Sequence, residues 1–295
     1  MPELPEVEIT ARLLDRALAG RRVDSALAPG INALKTYDPP LTALAGRTIA
    51  GVRRRGKNLI VEIDAEGDAE SLALLIHLMS AGRLQLFDKP AGPRDRTSRL
   101  LVRIEPLPGE HERPELRLRE FGSKQAAWVK LLPAATLEQD EALAKLGPEA
   151  WPDPGDGPEL KALLDAPRPL HSLLRDQRTI AGIGRSWVDE ILWKARLSPY
   201  KRGADLDAGE AAALREAIVS TLGTALDSYD QNISLPIPDK LPMPLKIHRH
   251  EGEPCPRCGE TLRAVHFEDY VVAYCPREQT EGRVLKDRRL SRLLK

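Results

Sequence analysis

The spacing of apolar residues changes along the chain and predicts a different structure in each part. Residues 4–20 have apolar side chains at helical spacing and end at Gly20, which predicts an amphipathic N-terminal helix. Short segments rich in valine, isoleucine and leucine then alternate with glycine, proline and aspartate, a pattern typical of strands. The predicted strands are 23–27, 48–53, 59–63, 71–79, 83–87, 99–104, 115–119 and 126–131. Strands this short, with no long helix between them, predict an antiparallel β-sandwich with the helix against it.

The pattern beyond residue 133 is helical. Prolines cluster before residue 159, which indicates a linker, and helical spacing follows at 159–165, 170–175, 187–195 and 209–229. A glycine-bearing turn at 177–186 can direct backbone N–H groups and a helix N-terminus towards a phosphate. The fold class is therefore α+β and multidomain. The predicted parts are the sandwich with its N-terminal helix (1–133), the linker (134–158), the helical domain (159–245) and a C-terminal hairpin with a basic end (246–295).

Composition narrows the class of protein. The 295 residues are 42% hydrophobic and 30% charged, and no apolar run approaches the length of a membrane span. Since no signal-peptide pattern precedes the first helix, we expect a cytoplasmic protein without a membrane partner. The net charge is zero, so binding to nucleic acid would need local positive charge. Residues 53–57 and 286–295 are basic clusters of that kind, although either can be an ordinary solvated face.

The first eight residues, MPELPEVE, carry candidate chemistry. Removal of Met1 exposes the secondary amine of Pro2, and an α-amino group titrates near pH ~7.7–8.0, so part of it is an uncharged nucleophile. Such an amine can form a Schiff base with an aldehyde-like carbon, and the carboxyl group of Glu3 can transfer protons beside it. The alternative is that Pro5 and the early glutamates only favour the start of the helix.

Five stretches together resemble one family across nearly the whole chain. They are MPELPEVE, residues 54–57, residues 146–149, residues 176–184 and a C-terminal cysteine pair. This combination resembles the formamidopyrimidine-DNA glycosylase and endonuclease VIII family of bifunctional base-excision repair enzymes. The resemblance implies an N-terminal catalytic sandwich domain, a helix-two-turns-helix domain and a zinc-finger-like hairpin.

The resemblance also assigns roles to residues of the N-terminal half. Pro2 attacks the deoxyribose C1′ and Glu3 transfers protons, while Glu6 orients these two residues through hydrogen bonds near the helix start. Lys57 holds phosphate and assists elimination. Without the resemblance, Lys57 reads as a surface lysine on a turn.

Three further residues of this half are expected to fill the gap left by the flipped nucleotide, namely Met79, Arg119 and Phe121. The family's methionine pattern is shifted by one residue here. The alternative is that Met79 and Phe121 are core side chains, which periodicity alone favours for Met79.

Three positions in the C-terminal half depart from the family pattern. Arg185, beside Gly184, replaces a phosphate-binding asparagine but can still engage a phosphate bidentately. His171 replaces a lysine, which weakens one further contact. Tyr270 replaces an arginine used for phosphate contact and δ-elimination, so we expect mainly β-elimination.

The cysteine spacing predicts an incomplete zinc site. Cys255 and Cys258 form a C-x2-C pair, and Cys275 follows after sixteen residues, but the fourth position holds Glu278. Glu278, or one of His248, His250 and His266, can complete the set around a structural zinc. Alternatively, apolar packing alone holds the hairpin. No catalytic cofactor is expected.

The sequence thus predicts a DNA glycosylase with AP-lyase activity, acting on oxidised bases in damaged double-stranded DNA. We expect a monomer associated with a bacterial nucleoid. Oxidised purines are favoured over oxidised pyrimidines or bare abasic sites, because the opening residues resemble the purine-specific branch. Two other classes stay open: a protein that binds lesions or abasic sites without turnover, and a zinc-finger interaction module.

Overall fold

The computed structural model describes residues 1–30, 32–67, 69–92, 95–121, 125–267 and 270–286. The chain forms two compact units. The first unit contains residues 1–144 and 228–241, and the second contains residues 145–227 and the chain from residue 242 onwards. Within the predicted helical domain, 159–245, residues 228–241 group with the N-terminal residues, whereas 159–227 and 242–245 belong to the second unit.

The first unit contains a long N-terminal helix and two four-stranded antiparallel sheets. Its helices are α1 (Leu4–Leu18) and the short α2 (Glu141–Ala144). The strands are β1 (Val23–Leu27), β2 (Ile49–Arg55), β3 (Asn58–Ile63), β4 (Leu72–His77), β5 (Gly82–Phe87), β6 (Ser98–Ile104), β7 (Glu115–Glu120) and β8 (Trp128–Pro133). One sheet has the order β1-β6-β7-β5 and the other has the order β2-β3-β4-β8. The predicted sandwich with an N-terminal helix is confirmed.

Alternation of side chains explains how these strands form one core. In β6 the buried residues are Ser98, Leu100, Val102 and Ile104, while the residues between them are more exposed. The apolar side chains of this strand join those of the second sheet and of α1 in a single cluster. Burying a leucine side chain fully stabilises the fold by about 1.5–3 kcal/mol, so this cluster fixes where α1 lies and where its first turn is presented.

Residues 228–241 add to the first unit although they are distant from it in sequence. Ile237 is a member of the sandwich core, and its carbonyl accepts a hydrogen bond of 2.5 Å from the buried Gln85 amide in β5. Pro236 and Pro238 lie in this segment, and they disfavour regular structure there without preventing packing.

The second unit is mainly helical and ends in a β-hairpin. Its elements are α3 (Gly157–Leu164), α4 (Leu170–Arg175), α5 (Arg185–Lys194), α6 (Ala208–Asn232, whose last turn belongs to the first unit), β9 (Arg263–His266), β10 (Val271–Tyr274) and α7 (Pro276–Gln279). Glu190 in α5 accepts backbone N–H groups from residues 246, 247 and 248. Burial nevertheless raises the pKa of this carboxyl group. Among the described residues, no helix is both long and apolar enough to cross a membrane.

Candidate active site

The N-terminal end of α1 is held by two buried glutamates. Glu3 caps the helix, and Glu3 and Glu6 form a reciprocal capping box in which each side chain accepts the other residue's backbone N–H. The bond from the Glu3 N–H to Glu6 Oε2 is 2.8 Å. The two residues are only 2% and 4% exposed. The glutamates therefore do favour the start of the helix, as the alternative interpretation of these residues requires. The same arrangement places two carboxylates beside the chain terminus.

Tyr229 fixes the second of these carboxylates from a distant part of the chain. Its hydroxyl donates a 2.8 Å hydrogen bond to Glu6 Oε1, and the ring is only 1% exposed. Burial and the negative charge of Glu6 both raise the pKa of this phenol, so it remains a donor. Sequence reasoning missed this residue, because an interaction across 223 positions leaves no local pattern.

The terminal amine lies in an environment that favours its neutral form. Burial lowers the pKa of the Met1 α-amino group below its ordinary value, against the opposing charge of Glu3. The positive charges of Arg83 and Lys57 act in the same direction as burial, and Glu6 opposes them. Four charged side chains therefore act on the amine. Two of them are the carboxylates of Glu3 and Glu6, which the sequence predicted to be catalytic.

Lys57 occupies the second position of a two-residue turn between β2 and β3. Arg55 pairs with Asn58 across this turn, and Gly56 has φ of 57°, a conformation that glycine adopts without strain. Lys57 is only 8% exposed, so it is not the plain surface lysine of the alternative reading. A buried lysine whose positive charge acts on the terminal amine is suited to a site that binds anions.

His77 and Met79 form a further part of this region that the sequence only partly indicated. The His77 Nδ1 accepts the Met79 N–H at 3.0 Å. The backbone of Met79 has φ of 49°, which is strained for a residue other than glycine. Burial, with the positive charge of Lys57, lowers the pKa of His77 to about 4. His77 therefore stays neutral and keeps its acceptor for Met79 at physiological pH.

Arg119 and Phe121 lie together at the end of β7. The Arg119 guanidinium carbon is 4.7 Å from the centre of the Phe121 ring. Its Nη1 also contacts Gln85 Oε1 at 3.2 Å and Asp239 Oδ1 at 3.1 Å. Gly122, which follows Phe121, lies outside the described residues. Asp239 holds the arginine in place, and sequence reasoning did not identify it.

The basic cluster at 53–57 has partners within the first unit. Arg53 Nε contacts Glu62 Oε1 at 2.6 Å, and Arg54 Nε contacts Glu8 Oε2 at 2.8 Å. Arg53 and Arg54 therefore take part in internal ion pairs. Most of the C-terminal cluster, 286–295, lies outside the described residues.

In the second unit, the glycine-bearing turn leads into α5. The Gln177 amide donates to the Ile183 carbonyl at 2.8 Å and accepts the Gly182 N–H at 2.9 Å. Gly184 then serves as the N-cap of α5, and Arg185 is its first residue. The turn is thus closed by one side chain, and it presents the start of a ten-residue helix with a cation on its first turn.

The three cysteines lie close together in the same unit. The sulfur atoms of Cys255, Cys258 and Cys275 lie within 4.8 Å of one another, and those of Cys258 and Cys275 are 3.5 Å apart. A tetrahedral zinc with Zn–S bonds of ~2.3 Å needs sulfurs about 3.8 Å apart, so the three thiols fit a structural metal. The Glu278 carboxylate instead accepts a short hydrogen bond from Arg257 and is not part of the cluster found among the described residues.

Comparisons with known proteins agree with this architecture. Residues 1–123 match the formamidopyrimidine-DNA glycosylase N-terminal domain, and residues 146–236 match the H2TH domain of the same enzymes. The formamidopyrimidine-DNA glycosylase of Rhodospirillum centenum is 34% identical over 307 residues, covering 95% of this chain and all of that protein.

Solved structures show the same likeness. Lactococcus lactis Fpg in complex with DNA containing an abasic site has a TM-score of 0.80 at 26% identity, covering 94% of this chain and 99% of that one. A mutant of the same enzyme, bound to DNA containing Fapy-dG, has a TM-score of 0.79 at 26% identity and covers 95% and 100% of the two chains. The two matched domains define a protein with the architecture of a base-excision repair glycosylase. The chain belongs to the formamidopyrimidine-DNA glycosylase family.

Proposed function

We propose that this protein is a DNA glycosylase with AP-lyase activity that removes oxidised bases from duplex DNA. The observation that carries the proposal is the buried arrangement at the start of α1, where Glu3 and Glu6 hold each other and Tyr229 holds Glu6. A capping box accounts for the two carboxylates, but it does not account for the buried phenol that is hydrogen-bonded to the second one. This additional bond is suited to holding a reactive chain end in a fixed position.

The chemistry follows from the groups at that end. After removal of Met1, the Pro2 nitrogen uses its lone pair to form a bond to the deoxyribose C1′, and the damaged base leaves with the electrons of the glycosidic bond. The displaced base takes up a proton from water. Glu3 accepts the N–H proton of the Pro2 nitrogen and passes it to the ring oxygen as the bond between C1′ and that oxygen breaks, which gives an iminium ion between Pro2 and C1′. Loss of a proton from C2′ then expels the 3′ phosphate in β-elimination, and water releases the enzyme.

Other residues have supporting roles in this proposal. Lys57 binds a phosphate next to the lesion and assists elimination, and its burial beside the amine supports this role. Arg119, Phe121 and Met79 occupy the space left when the nucleotide leaves the stack. The contact between Arg119 and Phe121 supports a joint action of these two side chains.

An oxidised purine is the proposed substrate, and damaged double-stranded DNA is the proposed partner. The Fapy-dG complex of the Lactococcus lactis relative supports this preference. Tyr270 carries no positive charge for a second elimination, so β-elimination is the main proposed outcome. A zinc ion bound by Cys255, Cys258 and Cys275 would stabilise the hairpin and take no part in the reaction. We propose that the protein acts as a monomer in the bacterial cytoplasm.

Borohydride trapping tests the proposal. Mass spectrometry first establishes that the purified chain begins at Pro2, and the protein is then incubated with duplexes that contain an abasic site, 8-oxoguanine or an oxidised pyrimidine. We expect a covalent adduct with the abasic duplex, and the purine lesion should react faster than the pyrimidine. Pro2→Gly should greatly slow trapping on every duplex, whereas Glu3→Gln should act most strongly on the base lesions.

The matched control is Glu112→Gln, which removes one carboxylate from an exposed loop of the same unit and should leave trapping unchanged. Binding to the abasic duplex without any adduct would overturn the enzyme proposal. The protein would then be a lesion-binding protein on the same scaffold.

A further inference from the structure

Two arginines from different helices of the second unit share one aromatic ring. The guanidinium carbon of Arg175, at the end of α4, is 4.1 Å from the centre of the Tyr270 ring. The guanidinium carbon of Arg185, at the start of α5, is 5.3 Å from the same point. Both distances are within the range of a cation–π contact. One tyrosine therefore gathers two positive charges into a small volume.

The ring that gathers them is itself held in place. Phe267 stacks on Tyr270 with a centroid distance of 4.4 Å and an interplanar angle of 6°. His171 lies nearly parallel to it at 5.8 Å. Since His171 and Arg175 are one helical turn apart on α4, the same helix face supplies a flat partner and a cation. Tyr270 is thus a fixed platform and not a loose side chain at the tip of the hairpin.

A buried carboxylate joins this platform to α5. Asp189 Oδ2 accepts the His248 Nδ1 contact at 2.7 Å and the Ala273 N–H at 3.0 Å. The other oxygen, Oδ1, lies 3.3 Å from His171 Nε2. The single side chain of Asp189 thereby connects α5 with β10 and α4. The spacing between Arg185 and Tyr270 is fixed by groups that are almost completely buried.

Two like charges on one ring repel each other unless an anion lies between or beside them. Among the described residues, no ion pair of the Arg175 guanidinium is found, and the carboxylates of Asp176 and Asp189 pair with Arg168 and His171 instead. Aromatic contact orients a guanidinium but does not neutralise it. A planar guanidinium with available N–H donors binds phosphate oxygens well, and the N-terminus of α5, with Gly184 as its cap, adds a partial positive charge nearby.

We propose that Arg175 is a phosphodiester-binding residue and that Tyr270 is a positioning residue that presents Arg175 and Arg185 as a pair to the DNA backbone. The proposal rests on the proposed function only in taking DNA as the source of the phosphodiester. Tyr270 contributes its ring and not its hydroxyl. The hairpin thus assists phosphate binding without a cation of its own at this position.

The salt dependence of DNA binding measures the number of phosphates that the protein neutralises. The full-length protein is titrated with a duplex containing a tetrahydrofuran abasic-site analogue, which it cannot cleave at C1′ by Schiff-base chemistry. Each phosphate contact contributes about 0.9 to the slope of log K against log[salt]. Arg175→Gln should therefore reduce the slope by about 0.9, which is an affinity difference of about 3.5-fold over a fourfold range of salt.

Matched variants separate this role from a loss of charge or of folding. Lys161→Gln removes one positive charge from the exposed surface of α3 and should leave the slope unchanged. Tyr270→Phe keeps the ring and should bind like the wild type, whereas Tyr270→Leu should weaken binding about two- to fivefold per arginine. Circular dichroism and thermal melts confirm that each variant is folded.

The possible outcomes distinguish this inference from the proposed function. A wild-type slope in Arg175→Gln, or equal weakening by Tyr270→Phe and Tyr270→Leu, overturns the inference even when borohydride trapping succeeds. A reduced slope in Arg175→Gln together with a failure of wild-type trapping would support the phosphate site and refute the proposed enzyme activity.

Discussion

The hydrogen bond between Tyr229 and Glu6 provides a sharp test of how the chain end is held. Tyr229→Phe removes only the hydroxyl, so the buried ring and its packing remain. The Glu6 Oε1 atom loses a donor at 2.8 Å in a site where both residues are nearly inaccessible to water. A hydrogen bond to a charged group contributes about 1.5–3 kcal/mol. We therefore expect the free energy of unfolding of the first unit to fall by about 2 kcal/mol.

The same change should affect the chemistry more than the binding. Glu6 Oε2 accepts the Glu3 N–H, so a Glu6 side chain that has lost its phenol partner no longer fixes the backbone next to Pro2. A displacement of about 1 Å at a reacting group can slow a reaction by about 100-fold. We expect the single-turnover rate of borohydride trapping to fall by about 10- to 100-fold, while the Kd for the tetrahydrofuran duplex stays within about twofold.

Tyr274→Phe is the matched control, because it removes another buried phenol. The Tyr274 hydroxyl accepts the Leu285 N–H at 2.8 Å in the second unit, so its loss should reduce stability by about 1 kcal/mol and leave the trapping rate unchanged. If Tyr229→Phe traps the abasic duplex at the wild-type rate, Glu6 does not position the amine through this bond. The role assigned to Tyr229 would then be wrong.

Three more predictions concern other parts of the molecule. Burial lowers the pKa of His77 to about 4, below its unfolded value of about 6.5. Its contribution to the free energy of unfolding is therefore complete above pH ~6.5 and is lost as the pH falls towards 4. Urea titrations should show a loss of about 2.5 kcal/mol between pH 7 and 4.5, and His77→Gln should abolish this pH-dependent loss. Asp239→Asn should release Arg119 and tighten binding of the abasic duplex about two- to fivefold, since the partly exposed pair contributes at most about 1 kcal/mol; weaker binding would contradict this. Elemental analysis should find one zinc per chain, which Cys258→Ser abolishes and Glu278→Gln leaves in place because that carboxylate is held by Arg257.

Local patterns predicted the elements of the fold well. Each of the eight strands of the sandwich overlaps a segment chosen from alternation and turn residues, because one face of each strand must be apolar to meet the core. The turn that carries Lys57 was likewise visible, since Gly56 between two strand patterns indicates a hairpin. The burial of Lys57 was not visible, because it depends on residues from other parts of the fold.

The contacts that complete the candidate site could not be predicted in this way. Tyr229, Asp239 and His77 act through partners far away in sequence or through an environment that only the folded chain creates. The same limit applies to Glu278, whose position in the cysteine spacing indicates a ligand although Arg257 takes its carboxylate. The spacing of residues in the sequence indicates which side chains can come into contact. Competition between alternative partners in the folded chain determines which contacts form.

The capping box at the start of α1 makes the proposed activity dependent on where translation begins. Glu3, Glu6 and Tyr229 are joined by side-chain and backbone bonds that do not involve the terminal amine. An extra residue before Pro2 would therefore leave the fold unchanged while moving the free amine by up to about 3.6 Å and converting the proline nitrogen into an amide. In the proposed reaction, the choice of start codon and the aminopeptidase that removes Met1 thus determine the reactive group as directly as any side chain. We expect an N-terminal affinity tag to give a folded protein without the proposed lyase activity.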